Sequence, residues 1–302
     1  MAKRVQAALS CSGRAACRWL GIHRSTLRYR PKPVADKKQK LEAEIVKMSR
    51  KHPTLGYKKV ARKLREHGWA VNKKQVQRVR REEGLQVPPP RRRQRRRGRS
   101  TGLPQQAAHR NHVWAWDFVS DHTERGGKLR AFNLIDEYTR ECHCIHADRA
   151  IKAADVLALL QEAIARHGPP QYIRSDNGPE FIAKAIQGWL RDNNIKTIYI
   201  DPGCPWQNGY AESFNGRFRA ECLNRELLYT LSESRVVFED WRRYYNHERP
   251  HRSLGLQTPA KFAQSQLVEG SASGRPPASL RRSLQGNQKK TDKPKQPPET
   301  VS

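Results

Sequence analysis

No stretch of this 302-residue chain stays apolar for the roughly 18 residues a membrane helix needs, so the sequence offers no candidate span. Its start lacks the apolar core of a secretory leader. Cysteine is sparse: Cys11, Cys17, Cys142, Cys144, Cys204 and Cys222 are scattered, and no Cys-x-x-Cys pair occurs. That removes the usual zinc-ribbon and redox signatures and fits free thiols in a reducing cytoplasm. Cys142-His143-Cys144 is a weak metal lead, and the alternation of a strand explains it better as packing. No heptad repeat is present. Acidic residues are almost missing from the first third: residues 1–110 hold 6 against 32 Lys+Arg, whereas residues 111–302 hold 23 against 27. The net charge of +30 is therefore concentrated at one end, which points to a polyanionic partner such as nucleic acid.

The segment "SCSGRAACRWLGIHRSTLRYR" has helix-turn-helix grammar. Ala16 and Leu20 sit one turn apart, Gly21 breaks the helix, and a second short helix begins after His23. We read residues 1–32 as a helix-turn-helix, with Arg24, Ser25, Thr26 and Arg28 on the helix that would meet DNA. Residues 36–86 read as a second small helical DNA-binding domain. Leu41, Ile45 and Met48 form one apolar stripe, and Tyr57, Val60, Ala61 and Leu64 the next. A third helix, capped by Asn72 and ended by Gly84, buries Val76 and Val79. The outer faces carry Lys58, Lys59, Lys73, Lys74, Arg78, Arg80 and Arg81, of which Lys73, Lys74 and Arg78 are the expected DNA contacts. An Arg/Pro-rich linker, residues 87–110, follows. Its Arg91, Arg92, Arg93, Arg95, Arg96 and Arg97 would each neutralise a phosphate and make binding strongly salt-dependent.

After residue 110 the period changes from helical to two. Val113, Ala115, Asp117 and Val119 point one way and Trp114, Trp116 and Phe118 the other. Strand-like stretches recur near 129–135, 140–146, 172–175 and 195–200, with helices over 153–166, 179–191 and 206–222. The order β-β-β-α-β-α-β-α predicts one mixed five-stranded sheet flanked by helices over residues 111–264. Residues 265–302 read as a disordered basic tail.

Three carboxylates stand out in that frame. Asp117 lies in the first strand, and Asp176 follows the strand "YIRS" just before Asn-Gly-Pro. Glu212 lies on a helix whose Ala211, Phe214, Phe218 and Cys222 face the sheet. Asn208, Glu212, Asn215 and Arg219 form that helix's polar stripe, and Asn208 and Arg219 are candidate DNA contacts. Asp136, in "NLIDEYTR", reads instead as a turn stabiliser bonded to Thr139 or Arg140.

Together "WAWDFV", "RSDNGPEF", "CPWQNGYAESFNGRFRAECL" and "YYNHERPHRSLGLQTPAKF" resemble, in order, the D-D-E transposase and retroviral integrase superfamily. The match is nearest to second-open-reading-frame transposases of bacterial insertion sequences, and it covers residues 10–263. Thirty-five residues separate Asp176 from Glu212, as in many members.

The resemblance implies an RNase H-like catalytic core in which Asp117, Asp176 and Glu212 are the catalytic metal ligands. It implies two Mg²⁺ (or Mn²⁺) ions per site, with Asp117 bridging both. Electrostatics agrees, because ionised carboxylates about 4 Å apart repel by roughly 4 kcal/mol per pair at an effective dielectric near 20. The implied activity is binding of the element's terminal inverted repeats, metal-dependent phosphodiester hydrolysis, and strand transfer into target DNA. Implied partners are DNA, further copies of the chain in a synaptic complex, and an upstream-frame product as fusion or partner. The implied setting is the bacterial cytoplasm, at the nucleoid. Two alternatives stay open: a non-catalytic DNA-binding regulator of transposition, and an RNase H-like nuclease that cuts without joining.

Overall fold

The computed structural model describes residues 2–29, 36–88, 106–175, 178, 181, 183–200 and 205–272. Three short helices come first, α1 (Ala2–Ala8), α2 (Gly13–Trp19) and α3 (Arg24–Arg28). The Ser12 side chain caps α2 by accepting from the Ala15 N–H, and the His23 ring caps α3 by accepting from the Ser25 N–H. Gly21, at φ +63°, supplies the left-handed turn between them.

Helices α4 (Asp36–Lys51), α5 (Tyr57–Glu66) and α6 (Lys73–Glu82) close on a core of Ile45, Leu55, Val60, Leu64 and Val76. Asn72 caps α6 through the Lys74 N–H. Arg80 corrects the expected basic outer faces. Arg80 is buried, with its guanidinium donating to the Leu55 and Leu85 carbonyls, because those turn carbonyls have no helical partner. Lys63 is buried as well and donates to the Glu248 carbonyl and carboxylate.

The sheet has five strands in the order β3-β2-β1-β4-β5. These are β1 (Val113–His122), β2 (Lys128–Asp136), β3 (Cys142–Asp148), β4 (Tyr172–Ser175) and β5 (Lys196–Tyr199). β1, β2 and β3 are antiparallel neighbours, and β4 and β5 run parallel to β1, which gives the expected mixed sheet. Period-two alternation sends Ala115 and Val119 to one face and Trp114 and Trp116 to the other.

The first face packs on α9 (Gly209–Phe218) and α10 (Leu231–Arg243) through Phe214, Phe218, Phe238 and Trp241. The second packs on α7 (Ala153–His167) and α8 (Lys184–Asp192) through Val156, Leu160, Ile186 and Leu190. α8 is shorter than the helix expected over 179–191, of which residues 179, 180 and 182 lie outside the described set. Burial of each large apolar side chain contributes about 1.5–3 kcal/mol.

One strand departs from regularity. Ile135 pairs with Cys142 and Leu134 with Cys144, so His143 is the extra residue of a bulge. Cys142 therefore packs with the α9–α10 face and Cys144 against the α7–α8 face, where simple alternation would have put them together.

The segment "YYNHERPHRSLG" acts as a strut. Asn246 exchanges two hydrogen bonds with the Cys142 backbone, at 2.9 and 2.8 Å. Arg249 makes a two-pronged pair with Glu221, both contacts 2.6 Å, with both side chains buried. α11 (Pro259–Ala272) runs past residue 265, where a disordered tail was expected to begin. Phe262 packs on Tyr138, and the Tyr138 hydroxyl donates to Gln266 at 2.8 Å, which holds the helix to the sheet.

Candidate active site

Asp117 sits mid-way along β1, directly opposite Asn133 of β2. Its Oδ1 accepts from the Phe118 N–H at 2.8 Å, and its Oδ2 accepts from the Asn215 side-chain amide at 2.8 Å. The Asn215 carbonyl oxygen in turn accepts from the Asn133 amide at 2.8 Å. A relay of Asn133, Asn215 and Asp117 thus joins β2, α9 and β1. α9 is held there by Ala211, Phe214 and Phe218, which anchor its apolar stripe on the sheet.

Glu212 lies one turn before Asn215 on that helix. It is exposed and makes no hydrogen bond or ion pair among the described residues. Asp117 and Glu212 are therefore brought to the same side of the sheet, with α9 carrying one beside the other. Asp176 lies outside the described residues. It follows Ser175, the buried last residue of β4, on the strand that neighbours β1.

Asn133 is a site residue that sequence reading missed. It is 2% exposed and is the polar interruption in the run "AFNLI", a signal that gains meaning only once its strand is seen to face α9.

The other expected DNA contacts divide. Arg24, Ser25, Thr26 and Arg28 are exposed on α3, with the Ser25 hydroxyl 2.7 Å from the His23 ring nitrogen. Trp19 and Tyr29 beside them are 62% and 72% exposed. Lys73 and Lys74 are exposed at the start of α6. Arg78 is half-exposed but pairs with Glu42 at 3.0 Å. Arg91, Arg92, Arg93, Arg95, Arg96 and Arg97 lie outside the described residues. Asn208 is buried, so it does not offer its amide to a passing strand. Arg219 donates to the Ser120 carbonyl at 2.9 Å and lies 3.6 Å from Asp121, so it ties α9 to the end of β1.

Lys59 was expected on the outer basic face, yet it sits beside Arg249 and Glu221 of the strut. Burial there, with Arg249 adding to it, lowers its pKa to about 7. His52 stacks on Tyr244 at 5.2 Å, and burial lowers its pKa to about 4. The α4–α5 face is thereby committed to the sheet-bearing part of the chain. α3 and the start of α6 keep their cations exposed.

An ion of the magnesium class takes hard oxygen donors. Asp117 and Glu212 supply carboxylates alone, one of them without a partner, so the donor set fits such an ion.

Comparison with known proteins gives the same frame. Residues 107–205 and 193–259 each match an Integrase core domain model, and residues 36–93 match an HTH-like domain. The chain is 38% identical, over 83% of its length and 72% of the relative's, to the Insertion element IS476 uncharacterized 39.2 kDa protein of Xanthomonas euvesicatoria. It is 36% identical, over 84% of its length and 91% of the relative's, to the Insertion element IS407 uncharacterized 31.7 kDa protein of Burkholderia multivorans. It is 25% identical, over 80% and 89% of the two chains, to the putative transposase InsK for insertion sequence element IS150 of Escherichia coli. With two matches to an Integrase core domain, an HTH-like domain ahead of them and relatives of this identity and coverage, the chain belongs to the integrase-core transposase family of insertion elements.

Proposed function

We propose that Asp117, Asp176 and Glu212 hold two Mg²⁺ or Mn²⁺ ions, and that the chain hydrolyses a phosphodiester at its element's ends and joins the freed 3′-hydroxyl to a second strand. The observation that carries this reading is the Asn215 bridge. It fixes the α9 face bearing Glu212 against Asp117, and β4, the parallel neighbour of β1, leads directly into Asp176. β1 and β4 pair in step as far as Ala115 and Arg174, and Asp117 and Asp176 each come two residues later.

When bound, such ions lower the pKa of a water or DNA hydroxyl and neutralise the leaving oxygen. The protein's part is positional. Asn215 orients the Asp117 carboxylate, Asn133 fixes the Asn215 amide, and the aromatic face of α9 holds Glu212 in place. No covalent protein–DNA intermediate is needed.

In this reading residues 1–32 and 36–86 bind the terminal inverted repeats, with α3 and the start of α6 offering the exposed cations. The arginines of residues 91–97 add sequence-independent phosphate contacts. Several copies hold the two ends together, and an upstream-frame product is fused or bound to the active form.

The test is a joining assay with a plasmid carrying the gene's own flanking ends, in Mg²⁺ or Mn²⁺. Branched or circular joined DNA is expected from the wild type and none from Glu212→Gln. Cutting without joining would make the protein a nuclease. Binding to the ends without cutting, unchanged by fusion to the upstream frame, would make it a regulator.

A further inference from the structure

On the other face of the sheet from Asp117, toward the end where β1 begins, three side chains with metal-binding atoms meet. Glu141 precedes β3, His143 is the bulged residue of β3, and His167 ends α7. Their ligand atoms all lie within 4.8 Å of one another. We propose that Glu141, His143 and His167 form a site for one transition-metal ion of the zinc class, separate from the carboxylates around Asp117.

The first support is what His143 lacks. It is 5% exposed, and neither ring nitrogen has a hydrogen-bond partner among the described residues. A buried imidazole normally satisfies at least one nitrogen, because an unmet polar group costs free energy. The Oε2 of Glu141 is also buried without a partner.

The second support is the bulge. An extra residue in an edge strand re-aims its side chain. Here it turns the ring toward His167, with centroids 4.0 Å apart, and toward Trp114, at 4.5 Å. The third is the donor set. Two imidazoles and one carboxylate suit zinc and leave a fourth position for water, whereas magnesium would call for oxygens. Glu141 and His167 are only half-buried, which leaves a way in.

Ligands bound at about 2.1 Å to a tetrahedral ion stand about 3.4 Å apart, so closure takes side-chain rotations of roughly an ångström. Both imidazoles are available as neutral bases. Burial lowers His167 to about 4 and His143 well below its usual value. The Arg110, Arg166 and Arg242 guanidiniums face the cluster and hold its affinity below that of a thiolate site. An ion bound there clamps the C-terminal end of α7 to the edge strand.

The test is a Zn²⁺ titration of the full chain, stripped with chelator, in millimolar Mg²⁺, with Co²⁺ absorption as the second readout. Wild type and Glu212→Gln should both bind one Zn²⁺ per chain and give the intense visible Co²⁺ bands of a four-coordinate site. His167→Gln and Glu141→Gln, checked for folding by circular dichroism, should each lose affinity by about tenfold or more and lose the bands. Zn²⁺ binding that is equal in wild type and both folded variants would overturn the proposal. So would its disappearance in Glu212→Gln, or no uptake above the Mg²⁺ background.

Discussion

Asp136 at the end of β2 and Asp117 mid-way along β1 are aspartates on adjacent strands, and the two are treated differently. Asp136, at the end where β1 begins, is fully buried. Its oxygens accept from three backbone N–H groups, those of Asn111, Tyr138 and Thr139, at 2.7–2.8 Å. Burial pushes its pKa up, and those donors pull against it. Asp117, mid-way along β1, is half-buried, takes one local N–H, and presents its second oxygen to a side-chain amide. A carboxylate saturated by backbone donors organises a turn. A carboxylate met by a side-chain amide beside an exposed glutamate is, in the proposed reading, arranged to hold a metal ion.

The largest expected effect is beside the open carboxylate. Glu212→Gln should lower strand joining on the order of a thousandfold or more, with the melting temperature unchanged or slightly higher once like charge is removed. A melting temperature several degrees lower would move Glu212 to the structural side of the comparison. At the saturated end the effect should be the reverse. Asp136→Ala strands two buried donors and one part-buried one and should cost about 2–4 kcal/mol in urea unfolding, while joining per folded molecule is kept.

Asn215→Ala should be smaller than Glu212→Gln, about tenfold to a hundredfold in joining, since in the proposed reading it orients a ligand without being one. The mildest effect is on pH. His52 and His251 are held neutral, with pKa values lowered to about 4 and about 2, mainly by burial. The unfolded chain takes up those protons near 6.5. The contribution of these two histidines to the melting temperature should therefore be steady above about pH 6.5 and fall as the pH drops from about 6.5 to 4. His52→Phe should flatten part of that fall.

Much of this contrast was legible in the sequence, because strand period two and the α9 apolar stripe fix which way Asp117 and Glu212 can face. Asp136 was read as a turn residue held with Thr139 or Arg140, and both bonds are present: its carboxylate accepts from the Thr139 N–H and its carbonyl from the Arg140 N–H at 2.9 Å, while the Arg140 guanidinium lies over the Tyr210 ring at 3.8 Å. What pattern could not supply was who covers a polar face. Lys59 and Arg80 looked like DNA-facing cations, yet α5 and α6 turn them to the strut and to turn carbonyls. Helical periodicity places a charge on a face but does not name the neighbour. The His143 bulge was equally hidden, since it exists only in the register against β2. Asn133 needed α9 in place before its polarity had a purpose.

The most direct test of metal binding by the carboxylates is anomalous diffraction from crystals of the protein soaked in Mn²⁺, collected for wild type and Glu212→Gln. A Mn²⁺ peak within about 2.2 Å of an Asp117 carboxylate oxygen, shared with Asp176 or Glu212 and weakened in Glu212→Gln, is the expected result. Saturating Mn²⁺ with no peak there, and Asn215 still bonded to Asp117, would contradict it.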